Sequence, residues 1–142
     1  MSNPKNRYEW LEAYLMGKPG AEHDYKLEWA WDRYQIRGKL FAAICTPGEA
    51  YKEYAGHPLV NLKCDPRLAE AYRGNYPEIR PGFYMDKRNW IAVLLDGDLP
   101  EEVLRTLCDQ SYQLVLEKLP KKVQREIQAE YEAGTTEQDP EE

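Results

Sequence analysis

Two segments of this chain are apolar on both faces of an extended strand, and they constrain the fold more than any other feature. Residues 40–45 read LFAAIC and residues 90–96 read WIAVLLD, without the alternation of apolar and polar side chains that marks a half-exposed strand. Strands of this kind lie inside a sheet, where both faces are covered. The sequence therefore predicts a sheet in which these two segments are interior strands.

Capping and turn signals predict two helices around the strands. The first helix ends at Gly17, ahead of Pro19 and Gly20, because glycine and proline terminate helices in that order. A second helix begins with Asp65 as its N-cap and Pro66 in its first position, which is where those residue types are favoured.

The remaining strands and a third helix complete the predicted order α-βββ-α-ββ-α. A turn at Gly38-Lys39 joins the first two strands, and a third strand is predicted at residues 59–64. Residues 79–84 are either a fourth strand or an irregular approach to one. Asp98 and Glu101 have the spacing of a capping box at the start of a long helix, which Pro120 ends or kinks. Short strand connections favour an antiparallel sheet of about five strands packed by helices. We therefore expect an α+β two-layer sandwich.

The chain is long enough for one domain with a terminal extension. Its 142 residues are 42% hydrophobic, which supports one ordinary core. We assign residues 1–120 to a single domain, residues 121–132 to a C-terminal helical extension and residues 133–142 to an acidic disordered tail. No apolar run approaches the roughly 20 residues that span a bilayer, and the N-terminus lacks a signal-peptide core, so we expect a cytoplasmic protein with no membrane partner.

Cysteine usage agrees with that expectation. The three cysteines, Cys45, Cys64 and Cys108, are odd in number and far apart in the sequence. No CxxC or Cys/His spacing is present, so we expect neither a disulfide framework nor a zinc site. We expect these residues to be small buried hydrophobes.

Sequence signals for catalysis are missing. There is no GxSxG, no HExxH and no glycine-rich phosphate loop followed by Lys-Ser/Thr, and no nucleophile–base pair can be named. His23 and His57 fall in predicted loops, where a histidine is more often solvated than catalytic. We therefore expect a protein that is not an enzyme and that needs no cofactor.

An acidic N-terminal region makes metal handling the lower alternative. Its acids are interspersed with basic residues and form no tight cluster of hard ligands, so we expect no metal site and interpret the region as a solvated helix face. The residues concerned are Glu9, Glu12, Glu22, His23, Asp24, Glu28 and Asp32.

Basic and aromatic residues around the predicted strands are the main functional signal. Arg33, Arg37 and Lys39 fall within seven residues that hold no acid, and a strand directs Arg33 and Arg37 to one face. If the strands are neighbours, the cations gather on one rim of the sheet, where they can neutralise phosphates while aromatic rings stack on bases. The candidate nucleic-acid-binding residues are Arg33, Arg37, Lys39, Lys63, Arg80, Lys87, Arg88, Asn89 and Trp90.

These residues also have a structural explanation. Lys and Arg at strand edges prevent edge-to-edge aggregation, and Trp90 suits a buried position. The net charge of −6 opposes nucleic-acid binding, but five of the acids and no base fall in residues 132–142, so the rest of the chain carries −1. A nearly neutral body can carry a basic face opposite an acidic one.

Several pieces of the chain resemble the MmcQ/YjbR family of small bacterial proteins. The most telling are MDKRNW at 85–90, LDGDLP at 95–100, and SYQLV followed by LP at 111–120. The resemblance covers residues 7 to 120 and includes KPGAE, GKLFAAI and LVNLKCDPRLAEAYRGNYPEIRPGFY. Lys87 and Trp90 match the Lys-x-x-Trp element of the family, and Lys63 matches the end of its LK strand.

This resemblance implies a two-layer α+β fold related in shape to frataxin-like (CyaY-like) and secretion-chaperone-like domains. It also implies DNA binding through a double-wing shape, in which hairpins flank a helix. The family offers no catalytic residues to transfer. The acidic residues beyond 132 lie outside the resemblance and depart from it.

Residues and resemblance together favour a non-catalytic DNA-binding protein that contacts the phosphate backbone through basic wing loops and the sheet rim, as a monomer or weak dimer. The alternative is a protein-interaction or chaperone-like module with a protein partner, and the lower alternative is frataxin-like metal handling. A continuous positive face would favour DNA, whereas an apolar groove of mixed charge would favour a protein. The protein-interaction alternative is favoured by the acidic balance and by tyrosines of exposed type at Tyr51, Tyr54, Tyr72 and Tyr76.

Overall fold

A six-stranded antiparallel sheet with helices on one face makes up the fold, which a computed structural model describes over residues 8–138, with side chains through residue 134. The order across the sheet is β1-β2-β3-β4-β6-β5, and every neighbouring pair is antiparallel. The strands are β1 (Ala21–Lys26), β2 (Trp31–Ile36), β3 (Lys39–Cys45), β4 (Leu59–Lys63), β5 (Ile79–Pro81) and β6 (Trp90–Leu94).

The helices of the described residues lie before, between and after these strands in the sequence. They are α1 (Leu11–Met16), α2 (Pro66–Asn75), α3 (Glu101–Glu117) and α4 (Lys121–Gln138), with a 3-10 segment at Glu49–Tyr54. The α+β class and the antiparallel sheet are confirmed, and α1 ends at Gly17 as expected.

The two doubly apolar segments form interior strands, as the sequence predicts. Every residue of β6 is buried, and β3 is buried at Phe41, Ala42, Ala43 and Cys45. The sheet nevertheless has one strand more than expected, because β1 pairs with β2 as an edge strand. Its four central residues are exposed, so it lacks the apolar signal of the others. Glu22 and Asp24 therefore lie on a strand, and the interpretation as a helix face was wrong for them, whereas Glu12 does lie exposed on α1.

Helix α3 is joined to the sheet by a buried serine as well as by apolar packing. Leu104 and Leu107 are fully or almost fully buried in the core between helices and sheet. The Ser111 hydroxyl donates to the Phe41 carbonyl oxygen at 2.6 Å and accepts from the Lys63 N–H at 2.8 Å. It therefore ties α3 to β3 and β4 at once, and neither backbone group is left unsatisfied.

Helix α4 packs against the start of the fold through a glycine. Gly20 has φ of +75°, and a Cβ there would lie 3.0 Å from Ile127 Cγ2 and 3.3 Å from Ile36 Cγ2. A side chain at residue 20 would thus be strained in its backbone and would push against both neighbours. Ile127 is 1% exposed, so α4 belongs to the core. The segment assigned to an acidic tail begins within this helix, and residues 139–142 lie outside the described residues.

Of the two predicted helix caps, one is present and one is not. The Asp65 carboxylate caps α2 by accepting from the Arg67 N–H, as predicted. The capping box at Asp98 was wrong: α3 begins at Glu101 after Pro100, without a side-chain cap.

The turn between β2 and β3 lies one residue earlier than predicted. Arg37 and Gly38 both have positive φ, of 48° and 80°. Positive φ at both central residues is the signature of a tight type I′ hairpin, so the turn is Arg37-Gly38 and Lys39 begins β3.

No helix within residues 8–138 combines the length and apolar character needed to cross a membrane. The three cysteines are free and buried, which confirms the sequence expectation. Burial raises the pKa of the thiols of Cys45 and Cys108 to about 12 and that of Cys64 to about 11.

We predict that all three thiols of the folded protein resist alkylation at pH 8. The thiolate is the reactive form, and a raised pKa together with burial keeps its population low. Iodoacetamide labelling followed by mass spectrometry should show no adduct on the native protein and three adducts in guanidinium chloride. Rapid labelling of any one cysteine in the native state would contradict this burial.

Candidate binding surfaces at the rim and on the open face

The face of the sheet opposite the helices, here called the open face, carries a second apolar cluster. Residues 82–89 and the 3-10 segment lie over it, and Tyr54 donates through its hydroxyl to the Pro81 carbonyl oxygen at 2.7 Å. The open face is therefore covered by irregular chain instead of a second layer of helices. The buried members of the cluster are Trp31, Ala43, Cys45, Leu59, Phe83, Ala92 and Leu94.

A buried asparagine holds residues 82–89 in place. Asn61 of β4 is 0% exposed. Its amide donates to the Phe83 carbonyl oxygen at 3.0 Å, and its side-chain oxygen accepts from the Phe83 N–H at 2.9 Å. The Asn61 side chain thereby satisfies both the N–H and the carbonyl oxygen of Phe83, which lie in an apolar layer. The segment RPGFYMDKRN, residues 80–89, thus has a structural role in addition to carrying basic residues.

Gly82 allows this segment to approach the sheet closely. A Cβ at Gly82 would lie 2.7 Å from Trp90 Cβ and 3.2 Å from the Trp90 carbonyl oxygen. The indole of Trp90, a predicted stacking platform, is only 9% exposed. It therefore has little surface to offer to a base.

Strand register brings most of the predicted basic residues to one end of the sheet. Lys63 pairs with Trp90 across β4 and β6, and Ile36 pairs with Lys39 across β2 and β3. The ends of β2 and β4 and the starts of β3 and β6 therefore share a rim. We call this end the basic rim, and its predicted contact residues are Arg37, Lys39, Lys63, Lys87, Arg88 and Asn89.

Arg33 and Arg80 do not lie on that rim. Arg33 pairs with Asp24 and Ala43, and Arg80 pairs with Ala92, so both lie within the open face. The guanidinium of Arg33 makes two hydrogen bonds to the Asp24 carboxylate, at 2.8 and 2.6 Å. These bonds lower the pKa of Asp24 and leave Arg33 already matched to an anion.

The cations of the rim differ in whether their charged groups already contact other groups of the protein. Arg37 contacts Glu130 of α4 at 3.2 Å, and the Lys87 ammonium donates to the Gly82 carbonyl oxygen at 3.1 Å. Among residues 8–134, by contrast, no carboxylate forms an ion pair with Lys39, Lys63 or Arg88. These three are the rim residues whose charge is most available to a ligand.

Asn89 has a structural role in the turn that leads into β6. Its side chain donates to the Asp86 carboxylate, which also accepts from the Arg88 N–H at 2.9 Å. The bond from Asn89, followed by that from Arg88, lowers the pKa of Asp86. The Asn89 carbonyl oxygen accepts from the Cys64 N–H at 2.8 Å, so this residue is largely committed.

An aromatic surface that the sequence reasoning did not select lies on the open face. Trp29 is 54% exposed and Tyr84 is 70% exposed, which makes them two of the most exposed large hydrophobic side chains among the described residues. A groove of about 410 Å³ runs beside them. The pair of tryptophans in EWAWDR was the sequence signal for this surface. The groove is lined by Trp29, Trp31, Arg33, Gln35, Gly38, Leu40, Tyr84 and Met85.

The acidic N-terminal residues are distributed and partly paired. His23 Nε2 lies 2.9 Å from Asp32 Oδ1 on neighbouring strands, and Asp24 binds Arg33. Within the described part of the chain, no three His, Cys, Asp or Glu side chains are placed to hold a metal ion.

The fold and these surfaces define a class of protein: a two-layer α+β domain whose helices cover one face of an open antiparallel sheet. Residues 16–114 match the family model described as YjbR, so the chain belongs to the YjbR (MmcQ/YjbR) family.

Two relatives agree with this membership, and a solved structure shares the fold. The chain is 36% identical over 110 residues to the uncharacterized protein YjbR of Escherichia coli K12, covering 78% of this chain and 87% of that protein. It is 39% identical over 108 residues to the uncharacterized protein YyaQ of Bacillus subtilis, covering 71% and 91%. The crystal structure of Deinococcus radiodurans protein DR2400 superimposes with a TM-score of 0.72 at 23% identity, covering 89% and 91% of the two chains.

We predict that Asn61→Ala destabilises the fold. Both Phe83 backbone groups would lose their partner in a buried layer, and each unsatisfied group costs roughly 1–3 kcal/mol, so the free energy of unfolding should fall by about 2–4 kcal/mol. Urea unfolding followed by circular dichroism measures this. Asn75→Ala, at the exposed end of α2, is the control and should change it by less than about 0.5 kcal/mol. Equal effects of the two substitutions would contradict the role given to Asn61.

Proposed function

We propose that this protein is a non-catalytic DNA-binding protein that contacts the phosphate backbone through its basic rim. The observation that supports the proposal best is the strand register, which brings Lys39, Lys63 and Arg88 from three separate segments to one end of the sheet. Separate cations that converge can neutralise neighbouring phosphates along a duplex. The family resemblance, through its double-wing shape, supports the same reading.

The contacts expected under this proposal are mainly electrostatic. Lys39 follows the tight turn at Arg37-Gly38 and therefore lies beside the tip of the β2–β3 hairpin, the position of a wing. Lys87 and Arg88 lie in the segment anchored by Asn61. Because such contacts reach phosphates and not base edges, we expect binding with little sequence preference and a strong dependence on salt.

We predict that Lys63→Gln combined with Arg88→Gln weakens binding to duplex DNA. Loss of two phosphate contacts should lower the slope of log affinity against log salt by about 2. Fluorescence anisotropy of a labelled duplex, titrated at several salt concentrations, measures the affinity and the slope.

The matched control is Lys26→Gln combined with Lys52→Gln. Lys26 pairs with Trp31, and Lys52 lies in the 3-10 segment between β3 and β4, so both belong to the opposite end of the sheet. This variant removes the same charge and should leave the slope unchanged. Equal losses of affinity in the two double variants, or no binding of DNA by the folded wild type at low salt, would refute the DNA proposal.

A protein-binding module is the second candidate, and the groove on the open face favours it. The groove joins apolar and aromatic side chains to Arg33 and Gln35, which is the mixed character expected for an extended peptide of a partner protein. A screen of immobilised peptides of about 12 residues tests it. Trp29→Ala should abolish binding of the selected peptides, while Tyr131→Ala, a change at an exposed residue on α4, should retain it. Peptides that bind equally well to the Trp29→Ala variant would count against the groove.

A further inference from the structure

An aromatic pocket lies on the open face at the end opposite the basic rim. It has a volume of about 270 Å³ and receives rings from three separate segments of the chain. Trp31 begins β2, and Cys45, which also lines the pocket, ends β3, so the pocket and the rim occupy opposite ends of the same strands. The rings are those of Trp29, Trp31, Tyr51, Phe83 and Tyr84.

Several of these rings meet at steep angles and form adjoining walls, whereas the rings of Phe83 and Tyr84 are stacked at 8°. The ring of Tyr51 is at 89° to that of Phe83 and at 83° to that of Tyr84, with centroids 5.0 and 5.3 Å apart. The rings of Trp29 and Trp31 are at 66° with centroids 5.3 Å apart. Trp31 and Phe83 are only 6% and 5% exposed, so they support the pocket from beneath. A ligand would contact mainly the exposed rings of Trp29, Tyr51 and Tyr84, which come from three segments.

The charge of the pocket favours a cation. Glu28 is the one charged residue among those that line it, and neither Lys nor Arg does so. The faces of aromatic rings carry partial negative charge, which attracts cations and repels anions. A phosphate or carboxylate ligand would face Glu28, and the cation beside that carboxylate, Lys26, is already paired with it.

An internal cation already uses part of this surface. The ammonium of Lys26 lies 5.1 Å from the centroid of the Trp29 indole and 3.8 Å from the Glu28 carboxylate. The pair of groups that would hold a ligand cation thus holds a lysine of the same chain.

The backbone is strained at two places that present these rings. Ala30, between the two tryptophans, and Tyr84 both have φ of 57°, a left-handed conformation that residues other than glycine adopt rarely. Both residues line the pocket. Such strain persists only where the surroundings impose it, and it concentrates at binding sites.

We propose that this aromatic pocket binds a small organic cation of the quaternary ammonium class. Several aromatic walls with one carboxylate are the arrangement by which proteins recognise such cations. The volume of about 270 Å³ is slightly below that of ordinary ligand pockets, roughly 300–1,000 Å³, so it suits a compact head group. The inference goes beyond DNA binding and does not depend on it, because the rim is elsewhere; nor does it require a peptide in the adjoining groove.

The test compares choline with 3,3-dimethyl-1-butanol, which has the same shape without the charge. The full chain is titrated with each at constant ionic strength, and binding is followed by the NMR signals of the tryptophan indole N–H groups. Choline should shift the signals of Trp29 and Trp31 with saturation at a dissociation constant of about 1 mM or below. The neutral analogue should bind at least about tenfold more weakly, because cation–π and carboxylate contacts are lost.

Variants locate the site and test the roles of its residues. Trp29→Ala should weaken choline binding at least about fivefold and Glu28→Gln about threefold, whereas Lys26→Met, which removes the internal competitor, should strengthen it about twofold. Both Trp29 and Glu28 are well exposed, so these variants are expected to fold, and circular dichroism checks this. Tyr131→Ala, an aromatic removal of similar exposure on α4, should leave the affinity unchanged.

Several results would overturn the proposal. They are equal affinities for choline and the neutral analogue, equal losses in Trp29→Ala and Tyr131→Ala, and no saturable indole shift up to about 20 mM choline. Co-sedimentation with phosphatidylcholine vesicles separates a free cation from a lipid head group. We expect the protein not to co-sediment with the vesicles. Vesicle binding that Trp29→Ala abolishes would overturn the assignment to a free solute. Loss of DNA binding with choline binding intact would refute only the function proposed for the rim.

Discussion

Two hydrogen bonds between the Asn61 side chain and the backbone of Phe83 hold the open face of this protein together. β4 lies between β3 and β6 and is buried on both sides, so the amide is a fixed polar point in an apolar layer. The backbone N–H and carbonyl oxygen of Phe83 bind this amide, and the Phe83 side chain is buried in the apolar cluster of the open face. These two hydrogen bonds fix the positions of the exposed Tyr84 and of the basic residues that follow it. Residues 82–89 form no regular secondary structure that could fix those positions by itself.

The antiparallel register then separates two kinds of surface along the same strands. At one end, unpaired cations such as Lys63 collect where four strand ends meet. At the other end, the β1–β2 turn carries Trp29 and Glu28 next to the end of β3. The acids that lie between, above all Asp24 with its bond to Arg33, neutralise the middle of the open face. Convergence of charge is therefore partial, and the protein presents a basic rim and an aromatic pocket in place of one positive face.

The parts of the fold that could be predicted are those whose local pattern is strong. LFAAIC and WIAVLLD are interior strands because only a covered strand tolerates apolar residues on both faces. The cap at Asp65 forms as expected because it depends on neighbours two residues apart. β1 was missed because its central residues are exposed on both faces, so that no alternation reveals it; pairing with β2 and not burial makes it a strand.

For the binding surfaces, sequence reasoning selected the right residue types but could not say which are free. Nothing near Arg33 in the sequence shows that Asp24, nine residues away, is its partner, and nothing near Arg37 points to Glu130, 93 residues away. The same limit hid the aromatic pocket, since Trp29, Tyr51 and Tyr84 lie on segments that meet only after the sheet has formed.

By itself, the sequence determined the class of fold, the interior strands, the helix cap at Asp65 and the membership in the YjbR family, because these depend on periodicity and on neighbours within a few residues. Only the tertiary structure decided which cations remain unpaired, that Trp90 is buried, and that aromatic side chains from three segments enclose a pocket. The physical reason is that ion pairing and ring packing act through space at a few ångströms, and the register of the strands sets which distant residues come that close.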